Sequence, residues 1–127
     1  MEWEEAQDVR DDLHDICKVL GLSHIDMERI FCYRTDGSKA RAYARTWAFP
    51  KIFQRALNVQ AAYVIEVISR YYDKLDTDSK KKVLIHELLH IPKNFSGALL
   101  PHHTKDRHLG KTAHQLFKEY KKKMSNV

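Results

Sequence analysis

Val83-Leu84-Ile85-His86-Glu87-Leu88-Leu89-His90-Ile91 is an apolar run, free of Gly and Pro, that spells H-E-x-x-H at positions 86 to 90. On a helix, residues four apart lie one above the other, so the imidazoles of His86 and His90 reach one metal ion together. Glu87 sits beside that face, where its carboxylate takes a proton from water at the ion instead of binding the ion itself. Leu84, Ile85, Leu88, Leu89 and Ile91 make this the most apolar helix in the chain, so it is expected to be largely buried. Buried His and Glu need polar partners. A divalent ion supplies them.

The flanks set the limits of this helix. Asp76-Thr77-Asp78-Ser79 offers capping side chains at its start. Pro92 disfavours a helical Ile91 and stops it at His90 or Ile91. Upstream, Ala61 to Ile68 is apolar except for Glu66 and reads as a strand covered on most of both faces.

Residues 3 to 20 read as an amphipathic helix, with Trp3, Val9, Leu13, Ile16, Cys17 and Leu20 on one side and Gly21 as its stop. Met27 to Tyr33 and residues 41 to 48 read as two strands, paired antiparallel through Asp36-Gly37-Ser38. In the second, Arg41, Tyr43, Arg45 and Trp47 alternate with Ala42, Ala44, Thr46 and Ala48. Pro50 opens a short helix to residue 58, and a last helix runs from 110 to 123 with Ala113, Leu116, Phe117 and Tyr120 inward. The expected class is α+β, a minimal zincin-like domain spanning 1–127. A small, mostly antiparallel sheet packs with an N-terminal helix, the H-E-x-x-H helix and a C-terminal helix.

With 43% hydrophobic and 31% charged residues over 127 positions, the chain has the composition of a globular protein. No stretch approaches the length of a membrane span. The acidic start, Met1-Glu2-Trp3-Glu4-Glu5, lacks the pattern of a signal peptide, so the expected location is cytoplasmic. Cys17 and Cys32, with 14 residues between them, fit no metal or redox spacing and read as small core residues. The net charge of +5 is carried largely by Lys80-Lys81-Lys82 and by the C-terminal third, including Lys105, Arg107, Lys111 and Lys121-Lys122-Lys123. Such a surface is more often a solvated face than a nucleic-acid contact, which stays open as a partner.

A catalytic zinc site takes three protein ligands and leaves one position open. A metzincin pattern would need Gly at Lys93 and His at Ser96, and both fail. Glu119, the only Glu after the motif, lies among lysines and reads as a surface salt-bridge partner. Six of the eight histidines are His86, His90, His102, His103, His108 and His114. Eleven residues separate His90 from His102, enough for the chain to turn after Pro92, reverse near Gly97 and return to the helix. On this reading His102, His103 and His108 all compete as the third ligand. His14, His24 and His114 read as surface residues.

The H-E-L-L-H-I run, followed by Phe95-Ser96-Gly97 and Pro101-His102, resembles the small metallopeptidases of archaea and phages and, more distantly, SprT-like zinc peptidases. The resemblance is strongest over residues 83 to 103. It implies His86, His90 and His102 as ligands of Zn2+, with Glu87 as general base. It also implies peptide-bond hydrolysis of a peptide or protein substrate. The chain departs from the SprT-like pattern in placing His103, not Gly, after His102. Two other functions are weighed: a non-catalytic, zinc-stabilised binding module, and a peptidase acting on DNA-bound protein. Oligomeric state is not legible. Arg70, Tyr71 and Tyr72, just after the strand at 61 to 68, are near enough in sequence to serve an oxyanion. That strand, if it borders the cleft, would align an extended peptide.

Overall fold

The computed structural model describes residues 1–104 and 107–126; Lys105, counted above among the basic residues, lies outside them. The elements run β1 (Glu2–Glu5), α1 (Gln7–Leu20), a 3-10 turn (Met27–Arg29), β2 (Ile30–Asp36), β3 (Ala44–Ala48), α2 (Lys51–Leu57), β4 (Tyr63–Ile68), α3 (Ser69–Tyr72), α4 (Thr77–Leu88), β5 (His103–Thr104), β6 (Arg107–His108) and α5 (Leu109–Ser125). The class is α+β, as the patterning predicts. Among the described residues no helix is long and apolar enough to cross a membrane.

The strand order is β1-β2-β4-β3, with β4 parallel to β2 and antiparallel to β3. The expected hairpin between the second and third strands does not form. Instead β4, the most apolar strand, inserts between them: Cys32 lies beside Ile65, and Thr46 beside Ile65 from the other side. A strand with Tyr63, Ile65, Val67 and Ile68 buried gains most from neighbours on both edges. Two of the three pairings in this sheet remain antiparallel.

The N-terminal helix also starts later than its periodicity suggests. Residues 2–5 pair with β2, Trp3 opposite Thr35, and helix begins at Gln7. Tertiary pairing overrides the local pattern here: the Trp3 indole donates to Glu66 Oε2 at 3.0 Å, across the sheet. From Gln7 onward the helix keeps the expected stripe. Val9, Leu13 and Ile16 are fully buried, and Gly21 ends the helix in the left-handed region at φ 65°.

Helices α1, α4 and α5 cover one face of the sheet. Leu13 and Ile16, Leu84, Ile85 and Leu88, and Ala113 and Phe117 join Ile30, Cys32, Ile65 and Val67 in one core. Cys17 and Cys32 are free thiols, held up at about 11 and 12 by burial. Asp76 caps α4, accepting from Ser79 N at 2.7 Å. Arg34 on the helix side is shared by Asp8 and Asp73, tying α1 and the end of α3 to β2.

Glu66 is the exception in β4, 1% exposed on the face the helices leave uncovered. Its carboxylate accepts from Trp3, Thr35, Arg45 and Trp47. Burial alone pushes the group up, but hydrogen bonds from Arg45, Thr35, Trp47 and Trp3 outweigh it and hold the carboxyl at about 2. The folded group thus binds its proton less tightly than the unfolded chain does. Its stabilisation, up to ~3 kcal/mol, is full above the ordinary value of 4.5 and lost as pH falls toward about 2. Urea unfolding of wild type and Glu66→Gln should therefore show a stability gap at pH 6 that closes as pH approaches 2. A gap that is constant over this range contradicts the assignment.

Candidate metal centre and cleft

The last turn of α4 carries His86 and Glu87, and the helix tightens just past them. His90 N bonds Glu87 O at 3.1 Å and Ile91 N bonds Leu88 O at 3.1 Å, a 3-10 pattern. The regular helix therefore stops at Leu88, two or three residues short of the expected end, and Leu89 and His90 continue it as a turn. His86 and His90 face the same side, ring centroids 5.3 Å apart.

Beyond Ile91 the chain turns back in a loop fixed at several points. Tyr63, buried at the start of β4, accepts from Gly97 N at 2.8 Å and donates to Ala98 O at 2.8 Å. Its ring packs edge-on against Phe95 at 5.0 Å. Gln54 Nε2 bridges Phe49 O and Ser96 O. Gly97 stands at φ 92°, and a Cβ there would meet Gln54 Nε2 at 2.2 Å and Phe49 O at 2.5 Å. Only glycine satisfies both the angle and the space. Leu100 then pairs with His90 twice: Leu100 N donates to His90 O at 2.7 Å, and His90 Nδ1 lies 2.6 Å from Leu100 O.

Two residues beyond, His102 arrives beside the helix pair. Its ring centroid is 5.1 Å from that of His86 and 4.5 Å from that of His90. One nitrogen from each of the three rings falls within 4.8 Å of the others. The competitors are engaged elsewhere. His103 packs against His108, 5.3 Å away across the β5–β6 pair, and His108 Nδ1 caps α5 by accepting from Lys111 N. Glu119 pairs with Lys123 on the surface. His114 lines the cleft without joining the cluster.

The chemistry of the three donors suits a divalent ion. A carbonyl oxygen can only accept, so the contact with Leu100 O puts a proton of His90 on Nδ1. Burial, then the charges of His90 and His102, push the His86 imidazole down to about 4, so it is neutral at pH 7. A tetrahedral ion spaces nitrogen ligands about 3.3 Å apart.

Glu87 is 7% exposed and its carboxylate is not among the cluster's donors. Burial pushes its carboxyl up to about 7, against a smaller downward pull from Thr46. Thr46 is the residue that motif reasoning misses. Its hydroxyl lies 2.9 Å from Glu87 Oε1 and 3.2 Å from Glu87 O, holding side chain and backbone of the same residue. The alternation in 41–48 does put Thr46 on a face otherwise made of Ala42, Ala44 and Ala48, as its one polar member. Nothing in that pattern says that α4 packs there.

A cleft of about 500 Å³ opens beside the cluster, lined by His86, Glu87 and His102, by Ala42–Ala44, by Lys82 and Val83, and by Gly110, Ala113 and His114. Its sheet wall is Ala44, the first residue of β3, with Ala42 and Tyr43 just before it. The strand at 61–68 is interior, paired on both sides, and does not border the cleft. Arg70, Tyr71 and Tyr72 serve packing: Arg70 stacks on Tyr71, Tyr71 meets Tyr43 edge-on, and Tyr72 is in the core. Tyr43 is half exposed at the cleft rim.

No curated protein and no solved structure matches the chain. A family description does, "putative phage metallopeptidase", over residues 1–121. That span takes in the three clustered histidines, Glu87, the return loop and most of α5. The chain belongs to the phage metallopeptidase family.

Proposed function

We propose that residues 1–127 form one zinc-dependent metallopeptidase domain, with His86, His90 and His102 holding the ion and Glu87 as general base. The observation that supports this most is the division of labour in the last turn of α4. Two imidazoles face the returning His102, while the carboxylate between them turns to Thr46. Three imidazole ligands with a further position open are the pattern of catalytic zinc, although other divalent ions accept the same donors. A bound ion polarises the scissile carbonyl and makes nearby water acidic.

The chain's own groups do the rest. Glu87 takes the proton of the attacking water and passes it to the leaving amine. Thr46 fixes the carboxylate through one oxygen, leaving the other to face the reacting atoms, so the base needs no reorientation. The start of β3 borders the cleft at Ala44, with Ala42 and Tyr43 leading into it, and this outer edge of the sheet offers backbone groups to an extended peptide, a role first expected of 61–68. A purely structural zinc site has no use for a buried carboxylate held off the ligand set.

Purified wild type should carry one zinc per chain by plasma emission spectrometry. His102→Ala should lose most of it and His103→Ala keep it; the reverse order removes His102 from the ligand set. Glu87→Gln should keep metal and fold while cleavage of a fluorogenic peptide pool drops by about 10²–10⁴-fold. Full activity in that variant ends the peptidase reading. Thr46→Val should lower kcat roughly 10-fold with KM and zinc content unchanged, and Thr46→Ser should restore most of it. A change in KM alone would assign Thr46 to substrate binding.

A further inference from the structure

The cleft beside the three histidines lies between α4 and α5, which run antiparallel. Asp78 in the first turn of α4 meets Lys121 of α5 at 3.1 Å, Lys82 meets Phe117, and His86 shares the cleft with Gly110 and Ala113. Lys82 precedes His86 by four residues, so the two side chains share one face of α4, about 6 Å apart along its axis. The walls around them are small: Ala42, Ala44 and Ala113 present a methyl group each, and Gly110 none. A Cβ at Gly110 would make only ordinary contact, 3.5 Å from His108 Cε1, so packing does not require glycine there. Glycine is a poor helix former. What it leaves in α5 is room in the cleft.

The charge in that room is one-sided. Among the described residues Glu87 is the only carboxylate on the lining, and it is buried and held by Thr46. Lys82 is exposed, with its ammonium 4.8 Å from the centroid of the Phe117 ring. Resting on an aromatic face holds the flexible side chain in the groove and leaves its outer side open to an anion. Among the described residues no ion pair engages Lys82, nor Lys111 and Lys118, which flank His114 on α5. Lys81, Lys121 and Lys123 are paired, with Asp12 and Asp15, with Asp78 and with Glu119. Asp76 accepts from Ser79 N, and Lys82 pulls on its carboxyl less than that bond does. The acids of these two helices are thus engaged, and the cation in the cleft is not.

We propose that Lys82 selects substrates bearing a carboxylate within two residues of the scissile bond, an inference that rests on the peptidase reading of the same cleft. An extended peptide advances about 3.3 Å per residue, so one turn of α4 spans about two of its residues. The small apolar walls take the stem of the substrate group and the ammonium takes its charged end. Inside the cleft that ion pair is screened less than one on open surface. A basic substrate group in the same place would meet like charge and be turned away. Lys111 and Lys118 add the same sign close by, which draws acidic peptides toward the opening. The carboxylate has two chemical sources, a Glu side chain or the free C-terminus of the peptide.

The test uses zinc-loaded protein and amidated, quenched peptides that differ only in Glu or Gln near the bond, with Gln peptides ending there in a free carboxylate as a second series. A carboxylate should raise kcat/KM about 5-fold over its neutral counterpart, through KM, and lose most of that gain in about 0.5 M salt. A gain from Glu identifies an acidic side chain as the ligand; a gain from the free end alone identifies the C-terminus. Lys82→Gln should abolish the preference, Lys82→Arg should keep it, and Lys82→Glu should turn it toward peptides carrying Lys. Fluorescence anisotropy of the same peptides, labelled, with zinc-loaded Glu87→Gln should show the same ratio of affinities, dependent on Lys82, without turnover. Cleavage with no preference, or a preference that survives Lys82→Gln, overturns the proposal and leaves the peptidase reading standing. Binding indifferent to the carboxylate overturns it too. Binding that depends on Lys82, with no cleavage by the unaltered protein, supports the carboxylate site and ends the peptidase reading instead.

Discussion

Leu100 and His90 hold each other by two hydrogen bonds, and the candidate site depends on that pairing. Those bonds bring the loop back against the helix two residues before His102. They also set a proton of His90 on Nδ1, so one contact positions the third imidazole and orients the second. Tyr63, Gln54 and Gly97 serve the same end from further out, by fixing the bend between Phe95 and Ala98. The loop has no regular structure from 92 to 102, yet its course is determined at each of these points.

Two buried carboxylates on opposite sides of the sheet show how environment sorts acids into roles. Glu66 has hydrogen-bond donors on both oxygens, and stays ionised down to about 2. Glu87 has one hydroxyl beside it, and burial takes its carboxyl up to about 7. The first is locked as a structural anion that orders two indoles. The second is left able to exchange a proton. Both are buried Glu residues in apolar runs, and only their neighbours differ.

That difference explains what sequence reading reaches and where it stops. The H-E-x-x-H spacing, the capping run before it and the break at Pro92 are local, and the structure follows them to within two or three residues. The reversal near Gly97 was legible because only eleven residues join His90 to His102. Strand order was not legible: the alternation in 41–48 names the faces of β3 but not its neighbour, and β4 takes the place next to β2. Trp3 fitted a helical stripe and went to a strand, because Glu66, sixty-three positions away, binds its indole. Thr46 fell outside the motif for the same reason, its partner lying forty-one positions on. Long-range polar pairs leave no period in the sequence.

Whether His102 completes a three-imidazole centre with the pair on α4 is tested most directly by X-ray absorption at the zinc edge of the metal-loaded protein. Three imidazole nitrogens at about 2.0 Å are expected, falling to two in His102→Ala. Two imidazoles in the unaltered protein, or three that survive the loss of His102, would contradict it.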